Sequence, residues 1–450
     1  MCKELLATIG KVFIFSLPII INLFLRFLPT ITSMWILSRL GKDYIAAAGI
    51  AAPTFYTIMT FFISGFNAVG VKVANSFGKN KINREISIWV TNAIILGFVS
   101  CTFAIIALLN IDIFLLFLKQ DPYLITLSKP FFTFGALAII PIIFNTILNQ
   151  YFIGIGHTKV SLALSTISCP LIVILSYGLV LGKWGLPKLA MGGINCATSI
   201  VGTLILVIAI FIAIFIKWSK PFHLFSKPFS VDHKHCVELL ELGWPIGLQN
   251  TAEMAVTTIV TYLLGIFGIS ALAAAQITQQ YTFILFLICV GLSSGVSILV
   301  SKAYGENNFK QIKYLTLASI IIISIVSFLF AIAFLVFPTT LVDLYLDIKH
   351  PAHSQLVYFA VHFMIIVAIY AIFNSIRKIS AATLQGMQDA KTPMKTSILC
   401  MWGIGLPCAY IAGFLLHGGP IALRSGFIIG VIIASCITAL RCKKKIASLL

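Results

Sequence analysis

Apolar runs of roughly 18 or more residues recur along this 450-residue chain, and each is long enough for a helix to cross a hydrocarbon layer about 30 Å thick. Between polar breaks the runs read as about 12–37, 46–75, 86–109, 131–153, 161–181 and 192–216 in the first half. In the second half they are about 239–264, 271–301, 314–336, 355–384, 395–416 and 421–440. In lipid every backbone amide must be satisfied within its own segment, so such runs fold as helices. The fold class expected is an all-α polytopic membrane protein, with twelve transmembrane helices in two pseudo-symmetric six-helix bundles. A soluble globule is excluded: 60% of residues are hydrophobic and only 10% are charged, where soluble domains carry about a quarter.

The basic residues set the expected orientation. Of 31 Lys and Arg, 19 fall on the side of the termini and of the loops following even-numbered spans, and 8 on the other side. The remaining four, Arg26, Lys72, Arg377 and Lys378, lie inside predicted spans. The excess predicts cytoplasmic termini in a multi-pass protein of the inner or plasma membrane. A net charge of +18 spread through short loops, without a basic stripe or motif, gives no reason to expect a nucleic-acid partner. The ten cysteines stand apart, with no C-x-x-C and no metal-ligand spacing, so they read as small packing residues. H-E-x-x-H and the P-loop pattern are both absent, which leaves a zinc protease or an intrinsic ATPase without support.

The two halves repeat. At an offset of 227, Leu17-Pro18-Ile19 lies on Trp244-Pro245-Ile246, Ile45-Ala46-Ala47-Ala48 on Leu272-Ala273-Ala274-Ala275, and Phe77-Gly78 on Tyr304-Gly305. Six helices per repeat is even, so the repeats share one orientation. This predicts an N-terminal lobe over 1–216, a cytoplasmic linker over 217–234 and a C-terminal lobe over 235–450. Transporters of this plan bind substrate between two bundles and alternate access by rocking them.

One acidic residue stands deep in a span. Glu253 is eight residues past Pro245, about 12 Å at 1.5 Å per residue. An intramembrane carboxyl is a functional candidate by default. Low dielectric penalises a bare carboxylate, so a proton or a cation could be held there and exchanged; half of a static ion pair is the blander reading. Asn250, Glu253, Thr257 and Thr261 share one face, at i, i+3, i+7 and i+11. In the tenth span Tyr370, Asn374, Arg377 and Lys378 share another, at i, i+4, i+7 and i+8. Arg377 or Lys378 could pair with Glu253 or with lipid headgroups. Arg26 stands on the repeat position of Glu253 and is costly in lipid, so gating, binding an anion and snorkelling to the interface all stay open. Gln276 and Gln280 of the eighth span read as cavity lining or as interhelical hydrogen bonding.

Further segments carry a family resemblance. Gly386-Met387-Gln388-Asp389-Ala390-Lys391-Thr392-Pro393, Trp402-Gly403-Ile404-Gly405-Leu406-Pro407, Gly65 to Gly78, Gly291 to Gly305 and Gly185-Leu186-Pro187 together resemble the multidrug and toxic compound extrusion (MATE) family, in order along nearly the whole chain. The resemblance implies a cation-coupled exporter of lipophilic, often cationic compounds. It implies a coupling site at Glu253, Tyr370 and Asn374, with Asn374 standing where family members commonly have Asp. It also implies sodium at Glu253, or a proton, as the coupling ion, with no cofactor otherwise. Substrate contacts are expected from Arg26, Asn250, Thr257, Gln276, Gln280, Arg377 and Lys378. The acidic residue that relatives often carry in the first helix corresponds to about Ser33, so a first-lobe cation site is not expected. The partners expected are a small-molecule substrate and the lipid bilayer, for a monomer that is no enzyme. An exporter or flippase of a lipid-linked or anionic glycan is the alternative favoured by Arg26, Arg377 and Lys378. A lipid-modifying membrane enzyme would lack a second intramembrane carboxylate to work with Glu253.

Overall fold

A computed structural model describes residues 2–79, 85–117, 121–216, 224, 232–345 and 354–450. Most of the 217–234 linker lies outside the described residues. The first half runs α1 (Cys2–Ser38), α2 (Lys42–Ser64), α3 (Asn67–Gly78), α4 (Glu85–Leu109), α5 (Ile111–Phe117), α6 (Pro122–Gly154), α7 (Thr158–Leu181) and α8 (Gly192–Phe215). The second half runs α9 (His233–Ile266), α10 (Ile269–Gly305), α11 (Phe309–Val336), α12 (Pro338–Asp343), α13 (Ser354–Gly386), α14 (Lys391–Cys400), α15 (Leu406–Tyr410) and α16 (Gly419–Leu449). Two π-helical turns, Met401–Gly405 and Ile411–Leu415, bracket α15, so that α14 to Leu415 forms one span.

Eleven stretches of described residues are long and apolar enough to cross a membrane. At the place of the remaining expected span stands α9, a 34-residue helix that drops below that apolarity because Gln249, Asn250, Glu253 and four threonines sit in its middle. Phe103, Ile106, Phe211 and Leu329 are each more than half exposed on helix flanks, the surface that acyl chains cover. Helix ends obey local chemistry. Asp121 accepts the Tyr123 amide at 2.8 Å ahead of Pro122, and Asn308 accepts from Gln311. Several helices also begin well before the apolar run: α1 starts at Cys2, ten residues ahead of the expected 12, because the polar residues around Lys3 and Lys11 are good helix formers.

The chain divides into two compact units, one of Ile21–Gly247 and one of Met1–Ile20 with Leu248–Leu450. The divide falls inside α1 and α9, whereas the repeat placed it at the linker. In the unit Ile21–Gly247, Ser165 donates to Asn22 Oδ1 at 2.9 Å and Asn22 donates to Ser161, fastening α1 to α7. Asn195 donates to the Phe131 carbonyl at 2.8 Å, tying α8 to α6. Lys72 meets Glu238 at 2.9 Å, joining α3 to the first turns of α9. A Cβ on Gly243 would stand 2.7 Å from the Gly65 carbonyl oxygen, so α9 crosses the end of α2 backbone to backbone.

In the other unit the same crossing is built with different residues. A Cβ on Gly291 would stand 2.9 Å from the Ile20 Cα, and one on Gly295 would overlap the Ser16 hydroxyl. Adding 227 carries Ser16 to Gly243 and Ile20 to Gly247, the two α9 glycines that pack on the end of α2, so equivalent positions of α1 and α9 make the crossing in both repeats. A Cβ on Gly386 would meet the Ser297 carbonyl oxygen at 2.6 Å, which brings α13 against α10. Elsewhere along α13, Ser375 lies 3.2 Å from Cys289 of α10 and accepts from Ser327 of α11 at 2.7 Å.

Candidate functional site

Glu253 occurs where α9 passes α13. From α13 the consecutive residues Arg377 and Lys378 both reach it: Arg377 donates through Nη1 to Oε1 at 2.6 Å and through Nη2 to Oε2 at 3.0 Å, and Lys378 Nζ donates to Oε2 at 2.6 Å. The Arg377 contact is the parallel fork that a planar guanidinium makes with a carboxylate. The Arg377 side chain is 1% exposed, Glu253 11% and Lys378 12%. One carboxylate against two cations leaves the cluster with a net charge of +1.

A second set of groups orients the first. Gln249, one turn before Glu253, donates to Oε1 at 3.0 Å and to Ser397 of α14 at 3.2 Å. Arg377 also donates to Ser397 at 2.8 Å and to Asn374 Oδ1 at 2.8 Å, leaving Nε as its buried nitrogen without a partner. Gln385 donates to Gln249 at 3.3 Å. Trp402, in the first π-helical turn, donates its indole N–H to the Ala252 carbonyl at 3.1 Å, beside Glu253 in the chain. A π turn widens the helix and lets a side chain reach a neighbouring backbone that a regular turn would miss. Lys378 additionally lies 5.8 Å over the Phe286 ring.

Of the residues expected from sequence, Glu253, Asn374, Arg377 and Lys378 come together. Tyr370 is on α13, one turn before Asn374, half-buried against an apolar cluster, and makes no hydrogen bond with another described residue. Asn250 and Thr257 lie on α9, but the Thr257 hydroxyl bonds back to the Glu253 carbonyl at 2.9 Å instead of joining the cluster. Gln276 and Gln280 are exposed on α10. Arg26, in the unit Ile21–Gly247, is exposed and makes no ion pair with another described residue. Gln249, Gln385 and Ser397 were not foreseen. Gln249 had a signal, since it stands at i−4 from Glu253 and Gln385 at i+7 from Lys378; Ser397 had none, because nothing in sequence says which face of α14 approaches α9.

Membrane-length apolar helices among the described residues, a duplicated plan and an ion cluster buried within one of the spans are the features of a secondary transporter. The MatE family model matches twice, at residues 18–178 and 245–411, and the two starts differ by 245 − 18 = 227, the repeat offset. The chain belongs to the MatE family of multidrug transporters. It is 26% identical to the probable multidrug resistance protein NorM of Pseudomonas putida, over 93% of this chain and 90% of that one. With the Agrobacterium fabrum protein of the same name it shares 28%, over 91% and 88%. Among solved structures, a MOP superfamily transporter from Pyrococcus furiosus superposes with a TM-score of 0.88 over 98% of this chain and 96% of that one, at 16% identity, a likeness of fold alone. The protein is a multi-pass secondary active transporter of small molecules.

Proposed function

We propose that this protein exports lipophilic small molecules, cationic ones included, in exchange for protons, with Glu253 as the coupling acid. The observation that carries the reading is the buried carboxylate held by Arg377 and Lys378. Protonating Glu253 removes the only negative charge of the cluster, raises its net charge from +1 to +2 and releases both cations from their acceptor. A cationic substrate is then repelled, and the helices that carry Glu253 and Arg377 lose the ion pair between them. Deprotonation restores the pair. Proton and substrate thus oppose each other, as antiport requires.

The donor set argues against sodium at this place. Sodium needs several hard oxygen ligands, yet both Glu253 oxygens already face cationic donors and Asn374 Oδ1 is committed to Arg377. The similarity to the NorM proteins supports the substrate class. The basic-residue asymmetry supports cytoplasmic termini and a plasma-membrane location. The transport lobes in this reading are 1–216 and 235–450, joined at the linker 217–234, and they alternate access by rocking, with the monomer as the working unit.

The test is efflux from proteoliposomes under a proton gradient or a sodium gradient imposed separately. Glu253→Gln keeps a hydrogen-bonding side chain but cannot ionise, and it is expected to fold and to lose proton-driven efflux. Wild-type efflux in that variant overturns the coupling role, and efflux driven by sodium alone overturns the choice of ion. A second reading, export of an anionic or lipid-linked glycan, is favoured by the net positive charge of the cluster; saturable inhibition by a polyprenyl phosphate would select it.

A further inference from the structure

Arg424 lies five residues into α16, inside a membrane span and remote from the Glu253 cluster. Its Nη1 donates to the Thr278 hydroxyl of α10 at 2.8 Å, and its guanidinium carbon sits 4.7 Å over the ring of Phe363 on α13. Thr278 donates its own proton to the Ala274 or Ala275 carbonyl, so it can only accept from Arg424. This neutral hydroxyl is the guanidinium's one hydrogen-bond partner among the described residues, and no Asp or Glu among them bridges it. The Phe363 ring beneath it is buried, as are Leu423 and Phe427 on the same helix as Arg424.

An uncompensated cation in such surroundings is costly, and one hydroxyl does not offset that cost. Arginine has five N–H donors, and one is used. The residue is only partly buried, and none of its nitrogens is sealed off unsatisfied, so the remaining donors can be reached from outside the protein core. Thr278 and Phe363 hold the guanidinium plane in place, which leaves its other edge as a preset fork of the kind that takes a carboxylate or phosphate through two parallel bonds. Along α13, Phe363 and Arg377 are 14 residues apart, about 21 Å, with Tyr370 midway and within electrostatic reach of both Arg377 and Arg424. The unit therefore holds two cationic stations toward opposite ends of α13, and only the one at Arg377 contains its own carboxylate.

We propose that Arg424, oriented by Thr278 and Phe363, is a binding site for the acidic headgroup of an amphiphile, a phosphate or carboxylate on an apolar body. Two sources share this chemistry: a transported amphiphile and an anionic lipid of the surrounding leaflet. The site does not depend on Glu253 being the coupling acid, so either assignment can fail alone.

Binding of dodecyl phosphate to the full chain in a neutral maltoside detergent tests it. Saturable binding is expected, with no comparable binding of dodecyltrimethylammonium. Arg424→Gln should weaken it at least ~10-fold, the loss of a charge-assisted pair of bonds, and Arg424→Lys should fall between. If Arg424→Gln does not fold, Thr278→Val, which removes only the orienting acceptor, should still weaken binding several-fold. An unchanged affinity in either variant, or equal binding of the two amphiphiles, overturns the site. In a second arm, native mass spectrometry after reconstitution in mixed phosphatidylglycerol and phosphatidylcholine identifies the source. Arg424-dependent retention of phosphatidylglycerol assigns the lipid. Its lack, with dodecyl phosphate binding intact, assigns a transported amphiphile.

Discussion

Glu253, Arg377 and Lys378 are unequal members of one cluster, because removing each leaves a different residue of charge behind. Without Glu253 two buried cations lose their acceptor; without Lys378 the Arg377 fork still neutralises the carboxylate. Breaking a buried pair by deleting one partner costs about 3–5 kcal/mol. Glu253→Leu is accordingly expected to lower the melting temperature in detergent clearly more than Lys378→Met, and a double Glu253→Leu/Arg377→Met chain should recover part of the loss. Equal effects of the two single changes would remove the asymmetry. Outside the membrane, the Asp232 carboxyl has its own network. Desolvation works to raise its pKa, but hydrogen bonds from His235 and from the backbone amides of Lys234 and His235 outweigh it and the net shift is downward. A depressed folded value means stability that is present above the ordinary Asp range, about 3.9, and lost as pH falls through the lowered value. Asp232→Asn should therefore lower thermal stability at pH 7, with the gap to wild type closing below about pH 4. At this scale the sequence was most informative where charge is expensive. An acid and two consecutive bases in apolar helices announce themselves, whereas Ser397, cheap to place anywhere, does not.

Helices cross here by the absence of side chains. Gly291 and Gly295 of α10 receive Ile20 and Ser16, and Gly243 of α9 receives Gly65. A valine at 291 would meet the Ile20 backbone, which cannot give way as a flexible side chain would. Gly291→Val is expected to destabilise by roughly 1–3 kcal/mol or to block assembly, read as a lower melting temperature or a loss of monodisperse protein, while Gly10→Ala, with open space around it, should have little effect. The twelve spans were legible because apolar length is a strong signal. The polar middle of α9 weakens that signal and yet marks the functional helix. The π turns were not legible: Pro407 and the neighbouring glycines mark an irregularity, but they do not say that the ladder widens, nor that Trp402 uses the widening to reach Ala252.

The whole molecule carries its duplication at two levels, in residues matched at an offset of 227 and in a family model that matches both halves. The compact units, however, trade their leading segments. Residues up to Ile20 belong with Leu248–Leu450, and the first turns of α9 belong with Ile21–Gly247. The offset could show that the halves are alike, but not that each lends the other a piece, because an exchange of equivalent segments leaves the repeat pattern unchanged. Severing the chain within 217–234 should therefore give two fragments that are each unstable when expressed alone and that reassemble when expressed together; a second fragment that folds normally without Met1–Ile20 would refute this.

The traded segment also sets a schedule for synthesis. Ile20 leaves the ribosome 291 − 20 = 271 residues before Gly291, the residue it packs on. At 5–20 residues per second that is a wait of about 14–54 s. During that interval the start of the first helix sits in the bilayer without its counterpart, while everything between it and α10 is still being inserted. Mistakes in making this transporter should concentrate in that interval, and a slowed ribosome between the halves would lengthen it.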